Sequence, residues 1–398
     1  MDNNVMVKNN LRKSVMLGSF AFGIMSFILP IYTKRIGGNA LTIGGLFSIF
    51  SVVTLILRPW IGKGIDRYGR KRFLMSAFLF YAVAMLMFSF STNMMLLYIS
   101  RLIQAVGASL MWISAYSIAV DVADNEKRGS TIGQVDGASA KGALYGAIIG
   151  FIVLSNFTLM SGWSLLFKGY AVLSLIAGYM VYKYVPETLN QRDTHNERPS
   201  NKLSGAFLKL LTIVFISAIS TSMLSPLLMV YLQDKFTTDI GTLAMAFIPA
   251  ALVYSFLPPV LGGISDRVGR IPPMILGLIG SGIVSLAFTH FFSIRVLVIL
   301  WVLESVGIVM ASPAQEALVA DIVGENVRGS SYGLYLFTAS LGAVIGPLLG
   351  GWLYDSFGHM VPFYLNGGIL LADALLVGIL FNNYKGKGKP IEISELHS

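Results

Sequence analysis

The stretch from Gly62 to Lys71 reads GKGIDRYGRK, and the stretch from Gly262 to Ile271 reads GGISDRVGRI, 200 positions later. The same offset relates Asp121 to Asp321 and Arg128-Gly129-Ser130 to Arg328-Gly329-Ser330. It also relates Gly107 to Gly307, Gly142 to Gly342, Gly146 to Gly346 and Gly150 to Gly350. A constant offset across charged loops and glycines, in a chain of 398 residues, means two halves of one duplicated fold. Few membrane architectures are built this way.

Composition points the same way. Hydrophobic residues make up 55% of the chain and charged residues only 12%, with a mean hydropathy of +0.71. So few charges cannot cover a soluble core of that apolar content, so the chain reads as an integral membrane protein. The net charge of +9 does not indicate nucleic acid. Lys and Arg fall in short loops between apolar runs, with no long basic stripe or aromatic platform. Cys is absent, which excludes disulfide and thiolate chemistry. Lys8, Arg12 and Lys13 precede an apolar run as in a signal peptide, but no small-residue cleavage site follows. A retained first span is expected.

A helix needs about 20 apolar residues to cross a bilayer core. Twelve such runs are predicted: 14–33, 41–61, 73–91, 95–121, 131–154, 163–184, 206–231, 240–261, 274–292, 296–320, 330–354 and 361–381. Spans two and eight are expected to stop at Pro59 and Pro258-Pro259. The organisation is then an N-terminal six-helix bundle (1–185), a linker (186–205), a C-terminal six-helix bundle (206–384) and a tail (385–398). Most of the 29 Lys and Arg lie in the N-terminal tail, the even-to-odd loops and the C-terminal tail, whereas the opposite side keeps Lys34, Arg35, Lys235 and Arg295. That bias places both termini in the cytoplasm.

With twelve spans, a 6+6 duplication and GxxxDRxGRK between spans two and three, the chain resembles the major facilitator superfamily over nearly its whole length. Gly62, Asp66, Arg67, Gly69, Arg70 and Lys71 match its signature after span two. The resemblance implies an all-α membrane fold of two pseudo-symmetric six-helix bundles around a cavity that opens alternately to each side. It implies a carrier without a cofactor, usually monomeric, in the cell membrane. Arg101-Leu-Ile-Gln104-Ala-Val-Gly107 on span four is similar to the motif of proton-coupled members, where the arginine serves coupling. Leu29-Pro30-Ile31-Tyr32 resembles the drug:proton antiporter branch. That branch carries a Gly-Pro pair on span five. Here span five has Gly146-Ala147, and Gly346-Pro347 stands on span eleven.

The repeated segments 62–72 and 262–273 read as short loops whose glycines permit tight turns. Asp66 and Asp266 are expected to cap facing helix N-termini, where a carboxylate meets free N–H groups and the dipole. Arg67 and Arg267 add positive charge there. Arg70 and Arg270 are expected to pair with Asp121 and Asp321, as a latch on the cytoplasmic side, together with Gly69 and Gly269 at the turns. The glycine ladders of spans five and eleven recur every four residues and favour close helix packing.

Charges at bilayer depth are costly and mark polar pathways. The candidates are Arg101, Asp136, Lys141, Lys168, Glu304, Glu316 and Asp373. Arg101 and Glu304 lie in near-equivalent repeat positions on spans four and ten, as a cross-bundle pair or proton-exchanging group. Lys141 lies near the midplane, about 140° around the helix from Asp136, and its repeat counterpart is Leu341. Lys168 is expected to snorkel to the interface, and Asp373 to serve helix packing or to stay uncharged. Gln104, Trp112, Tyr116, Tyr145 and Glu316 are further cavity candidates, and Trp163, Trp301 and Trp352 are expected in the interfacial belt. No His, Asp and Glu cluster has metal-ligand spacing, and no ATP-binding motif appears.

The function expected is secondary active transport by alternating access, as proton-coupled efflux of a small amphipathic or drug-like molecule. Protons are the coupling ion, with Arg101, Glu304 and Asp136 serving coupling. Alternatives are uptake of a small metabolite, including an anionic one, or flipping of a lipid-linked substrate.

Overall fold

A computed structural model describes residues 3–123, 128–189, 205–323 and 328–381. Most of the expected linker and the whole tail 385–398 lie outside them, as do the side chains of Asp266, Arg128, Ser130 and Tyr332. The chain divides into two compact units, Met1–His195 and Asn196–Ser398.

The first unit comprises α1 (Asn3–Gly18), α2 (Phe20–Arg35), α3 (Ala40–Tyr68), α4 (Arg70–Ser89), α5 (Met94–Asp121), α6 (Arg128–Asn156) and α7 (Leu159–Tyr184). The second comprises α8 (Gly205–Leu224), α9 (Leu227–Lys235), α10 (Ile240–Phe256), α11 (Pro258–Val268), α12 (Ile271–Phe288), α13 (Ile294–Val323), α14 (Arg328–Phe357) and α15 (Val361–Phe381). Eleven stretches among the described residues are long and apolar enough to cross a bilayer, and the shorter α10 takes the eighth expected place. No strand occurs among the described residues. The fold is all-α, of the twelve-span, two-bundle type that the duplication implied.

The bundles repeat one packing plan. In the first, α4 packs on α5 and α7 while α6 runs along α1 and α2; in the second, α12 packs on α13 and α15 while α14 runs along α8. Helix starts repeat too. Asn39 accepts from the Thr42 backbone N–H at 2.9 Å, and Asp239 from that of Thr242 at 2.8 Å. Each satisfies an N–H that has no partner inside its helix.

Water does not drive helices together inside a bilayer, so close packing must hold each bundle. The glycines supply it. A Cβ on Gly146 would overlap the Phe20 carbonyl, and one on Gly346 the Ile219 carbonyl. Gly107 lies against Ala77 and Tyr81, and Gly307 against Gly277 and Ser281. A duplicated aromatic knot adds to this. Trp163 stacks on Tyr32 at 3.7 Å and meets Phe88 edge-on at 6.1 Å. Phe363 meets Tyr231 at 4.9 Å and stacks on Phe288 at 5.5 Å.

Three expectations need correction. Span one begins earlier than residue 14. Val7, Leu11 and Val15, spaced four apart, are buried along α1, so a helix carrying Lys8 and Arg12 still packs on the bundle. Pro59 does not end span two; it lies inside α3, which continues to Tyr68. In the second unit the helix does break, at Leu257 before Pro258-Pro259. Trp163 is not in an interfacial belt but fully buried. Its indole N–H donates to the Phe88 carbonyl at 2.5 Å, near the end of α4, where carbonyls lack helical partners.

Candidate functional site

The repeated motif is mostly helix. Gly62, Asp66 and Arg67 are on α3; Gly262, Asp266 and Arg267 are on α11. Each motif turns at a single glycine, Gly69 at φ 97° and Gly269 at φ 93°. Side chains rarely adopt that conformation, so these two positions require glycine. Gly62 faces open space and carries no such requirement.

The turns deliver Arg70 and Arg270 to the expected acids. Arg70 forms an ion pair with Asp121 and donates to the Ser117 carbonyl at 3.3 Å. Arg270 Nε donates to Asp321 at 3.1 Å, and its Nη1 to Ser265 at 3.3 Å. The capping expectation for Asp66 is not met at α4, where another carboxylate takes the free N–H groups. Glu187 accepts from the backbone N–H of Arg70 at 2.8 Å and of Lys71 at 3.2 Å. Asp66 itself is exposed, as are Arg67 and Arg267. Thr188 donates to Asp121 at 2.6 Å, and Lys71 Nζ to the Tyr182 carbonyl at 2.8 Å. Sequence reading missed Glu187. Its signal was an acid immediately after span six, where the repeat register places Lys387 in the other half.

The first unit's intramembrane candidates meet different surroundings. Arg101 is buried; it donates to the Leu46 carbonyl at 3.2 Å and to Gln104 Oε1 at 2.7 Å. Its guanidinium lies over Phe47 and Phe50, at 5.1 and 4.4 Å from the ring centres, a cation–π contact strengthened by desolvation. Gln104, expected to line a cavity, is instead fully buried and positions Arg101. Asp136 accepts from the Tyr116 hydroxyl at 2.6 Å. Tyr116 lies 5.4 Å from Trp112, which stacks on Phe22. Lys141 and Tyr145 are exposed one turn apart on α6. Lys168 is exposed, its ammonium 5.2 Å from the Phe90 ring.

The second unit carries its acids on a polar seam that sequence reading did not find. Asn366 on α15 donates to Glu304 Oε1 at 3.5 Å and to Ser285 on α12 at 2.9 Å, and accepts from Ser220 on α8. Seven residues further along α15, Asp373 is fully buried and accepts from Ser217 on α8. Four helices therefore share one hydrogen-bonded track. Glu316 is exposed on α13.

The family model described as Major Facilitator Superfamily matches residues 14–213 and 210–396. The chain belongs to that superfamily. Its members are carriers rather than enzymes, so this superfamily chain is a multi-pass secondary transporter. It is 23% identical over 376 residues to Multidrug resistance protein 2 of Bacillus subtilis, covering 91% of this chain and 92% of that one. It is 24% identical over 362 residues to the class B tetracycline resistance protein of Escherichia coli, covering 88% of each. Among solved structures, the nucleoside transporter NupG shares the fold, with a TM-score of 0.80 and 13% identity over 94% of this chain and all of that one.

Proposed function

We propose that this superfamily member is a proton-coupled exporter of small amphipathic or drug-like molecules. It works in the cell membrane as a monomer, with both termini cytoplasmic. The observation that carries the coupling is Glu304. It is a half-buried carboxyl at membrane depth whose side chain accepts from the uncharged Asn366. An ionised carboxyl in such a place is costly, so a proton would be exchanged there as access to water changes. Asn366 donates to Glu304 Oε1 in either protonation state, and its bonds to Ser220 and Ser285 relay a shift of Glu304 to α8 and α12. Arg101, fixed by Gln104, serves coupling from the first unit, and the Asp136–Tyr116 pair is a second proton-exchanging group. Trp112, Tyr116 and Tyr145 offer aromatic surface to the substrate. The Arg70–Asp121 and Arg270–Asp321 pairs act as cytoplasmic latches that part when that side opens. The names of the multidrug and tetracycline resistance relatives favour export of drug-like compounds.

Reconstitution into proteoliposomes with a pH gradient tests the reading. A panel of lipophilic cations, neutral drugs and organic anions is added in turn. The expected result is collapse of the gradient by one class, lost in Glu304→Gln. Collapse unchanged in that variant would move coupling to Asp136. No collapse with any compound would overturn proton-coupled export and favour metabolite uptake or lipid flipping.

A further inference from the structure

We propose that Lys141 is the binding group for an anionic head on the transported molecule, so that the substrate is an amphipathic organic anion with a carboxylate, sulfonate or phosphate group. This rests on the transport reading above and narrows it.

Lys141 sits at the middle of α6, roughly 20 Å of helix from either end at about 1.5 Å per residue. A lysine that deep is too far from either interface to snorkel easily. The other mid-depth charges described above have a polar partner: Arg101 has Gln104, Asp136 has Tyr116, Glu304 has Asn366 and Asp373 has Ser217. Lys141 has none among the described residues, yet its side chain is exposed. An unpaired ammonium against lipid tails is strongly disfavoured, so its surroundings are a water-filled path.

The turns of that face next to Lys141 agree. Gly133 and Gly137, two turns and one turn before Lys141, have nothing within 4 Å of where a side chain would begin. Ala140 is exposed beside them, and Tyr145, one turn beyond, is 47% exposed. This leaves room beside the ammonium and an aromatic surface next to it. Beyond Tyr145 the face turns apolar at Ile148, Ile149 and Ile152, as α7 does at Leu165, Val172, Leu175 and Ile176, the composition of a lipid-facing surface. The repeat counterpart on α14 carries Phe337, Leu341 and Ile345 where α6 has Gly137, Lys141 and Tyr145. Only the first half has acquired a cation there. Asp136 does not neutralise it, because it lies about 140° around α6 and is engaged by Tyr116.

Two dyes with one xanthene ring system and opposite charge provide the test: fluorescein as the anion and rhodamine 123 as the cation. Binding to the purified full-length protein is read by fluorescence polarisation, and transport by collapse of a pH gradient in proteoliposomes, against protein-free liposomes. Wild type and Lys141→Arg should bind fluorescein, and Lys141→Gln should bind it about tenfold more weakly, the loss expected for one charge-assisted hydrogen bond. Because Lys141 is exposed and holds no other residue, Lys141→Gln should elute and melt like wild type. Rhodamine 123 bound or transported equally by wild type and Lys141→Gln, with fluorescein inert, would overturn the anion site and leave transport standing. Lys141-dependent binding of fluorescein without gradient collapse would support the anion site and overturn proton-coupled export. Fluorescein bound equally by wild type and Lys141→Gln, or neither dye bound, would overturn the anion site.

Discussion

The starts of α4 and α12 are repeat counterparts that solve one problem in two ways. Both follow a positive-φ glycine, and both hold an arginine against an aspartate. The first turn of any helix presents backbone N–H groups without partners. Helix α4 opens Arg70-Lys71-Arg72-Phe73, so its N–H groups are all present, and Glu187 reaches across to accept two of them. Helix α12 opens Ile271-Pro272-Pro273, and its prolines remove two of the N–H groups outright. Duplication has kept the ion pair and let each half settle its backbone hydrogen bonding with different residues. The pair is a matter of charge in the motif; the cap is a local matter of whichever residues lie near.

The aromatic knots offer the strongest way to press this comparison. Trp163→Ala and Phe363→Ala each remove a buried aromatic, with an expected cost of about 3–5 kcal/mol. Trp163→Ala should cost about 1 kcal/mol more, because the Phe88 carbonyl loses its donor. Thermal unfolding in a fixed detergent measures both. Equal losses would mean that the indole hydrogen bond does not separate the halves.

A smaller effect is expected at the caps. Glu187→Ala should lower stability by about 1 kcal/mol, the usual cost of losing an N-terminal capping group. In a Lys71→Pro background, which removes one of the two N–H groups that Glu187 accepts from, that loss should shrink. An undiminished loss would show that Glu187 acts through its neighbours Thr188 and Asp121 rather than as a cap.

The smallest effect concerns pH. Asp239 and Asn39 cap α10 and α3 in the same way, but only Asp239 titrates. The Thr242 backbone N–H, and then its hydroxyl, hold the Asp239 carboxyl below its ordinary value. A lowered folded-state pKa gives stability that is present above the unfolded value, about 4 for Asp, and is lost as pH falls through the folded value. Melting temperature should therefore fall slightly more steeply with acid in wild type than in Asp239→Asn. Asn39→Asp should add a matching slope in the first half. No change of slope in either variant would remove the electrostatic distinction between the caps.

By itself the sequence determined the class, the duplication and the two arginine–aspartate pairs. Apolar run length is imposed by bilayer thickness, and charges are few enough that each repeated one stands out. Arg70–Asp121 and Arg270–Asp321 were legible because repetition marked all four residues. Glu187, Asn366, Ser220 and the burial of Trp163 were not, since Ser, Asn and Trp are unremarkable in apolar helices and no periodicity singles them out. The path of α3 through Pro59, against the break before Pro258-Pro259, was equally hidden. One proline inside a helix removes one N–H and is tolerated where neighbouring helices hold the backbone, and only packing decides that. Tertiary structure also decided which intramembrane charges are engaged. Burial and hydrogen bonding depend on what lies across from a residue, and a linear pattern carries the helix face but not the partner.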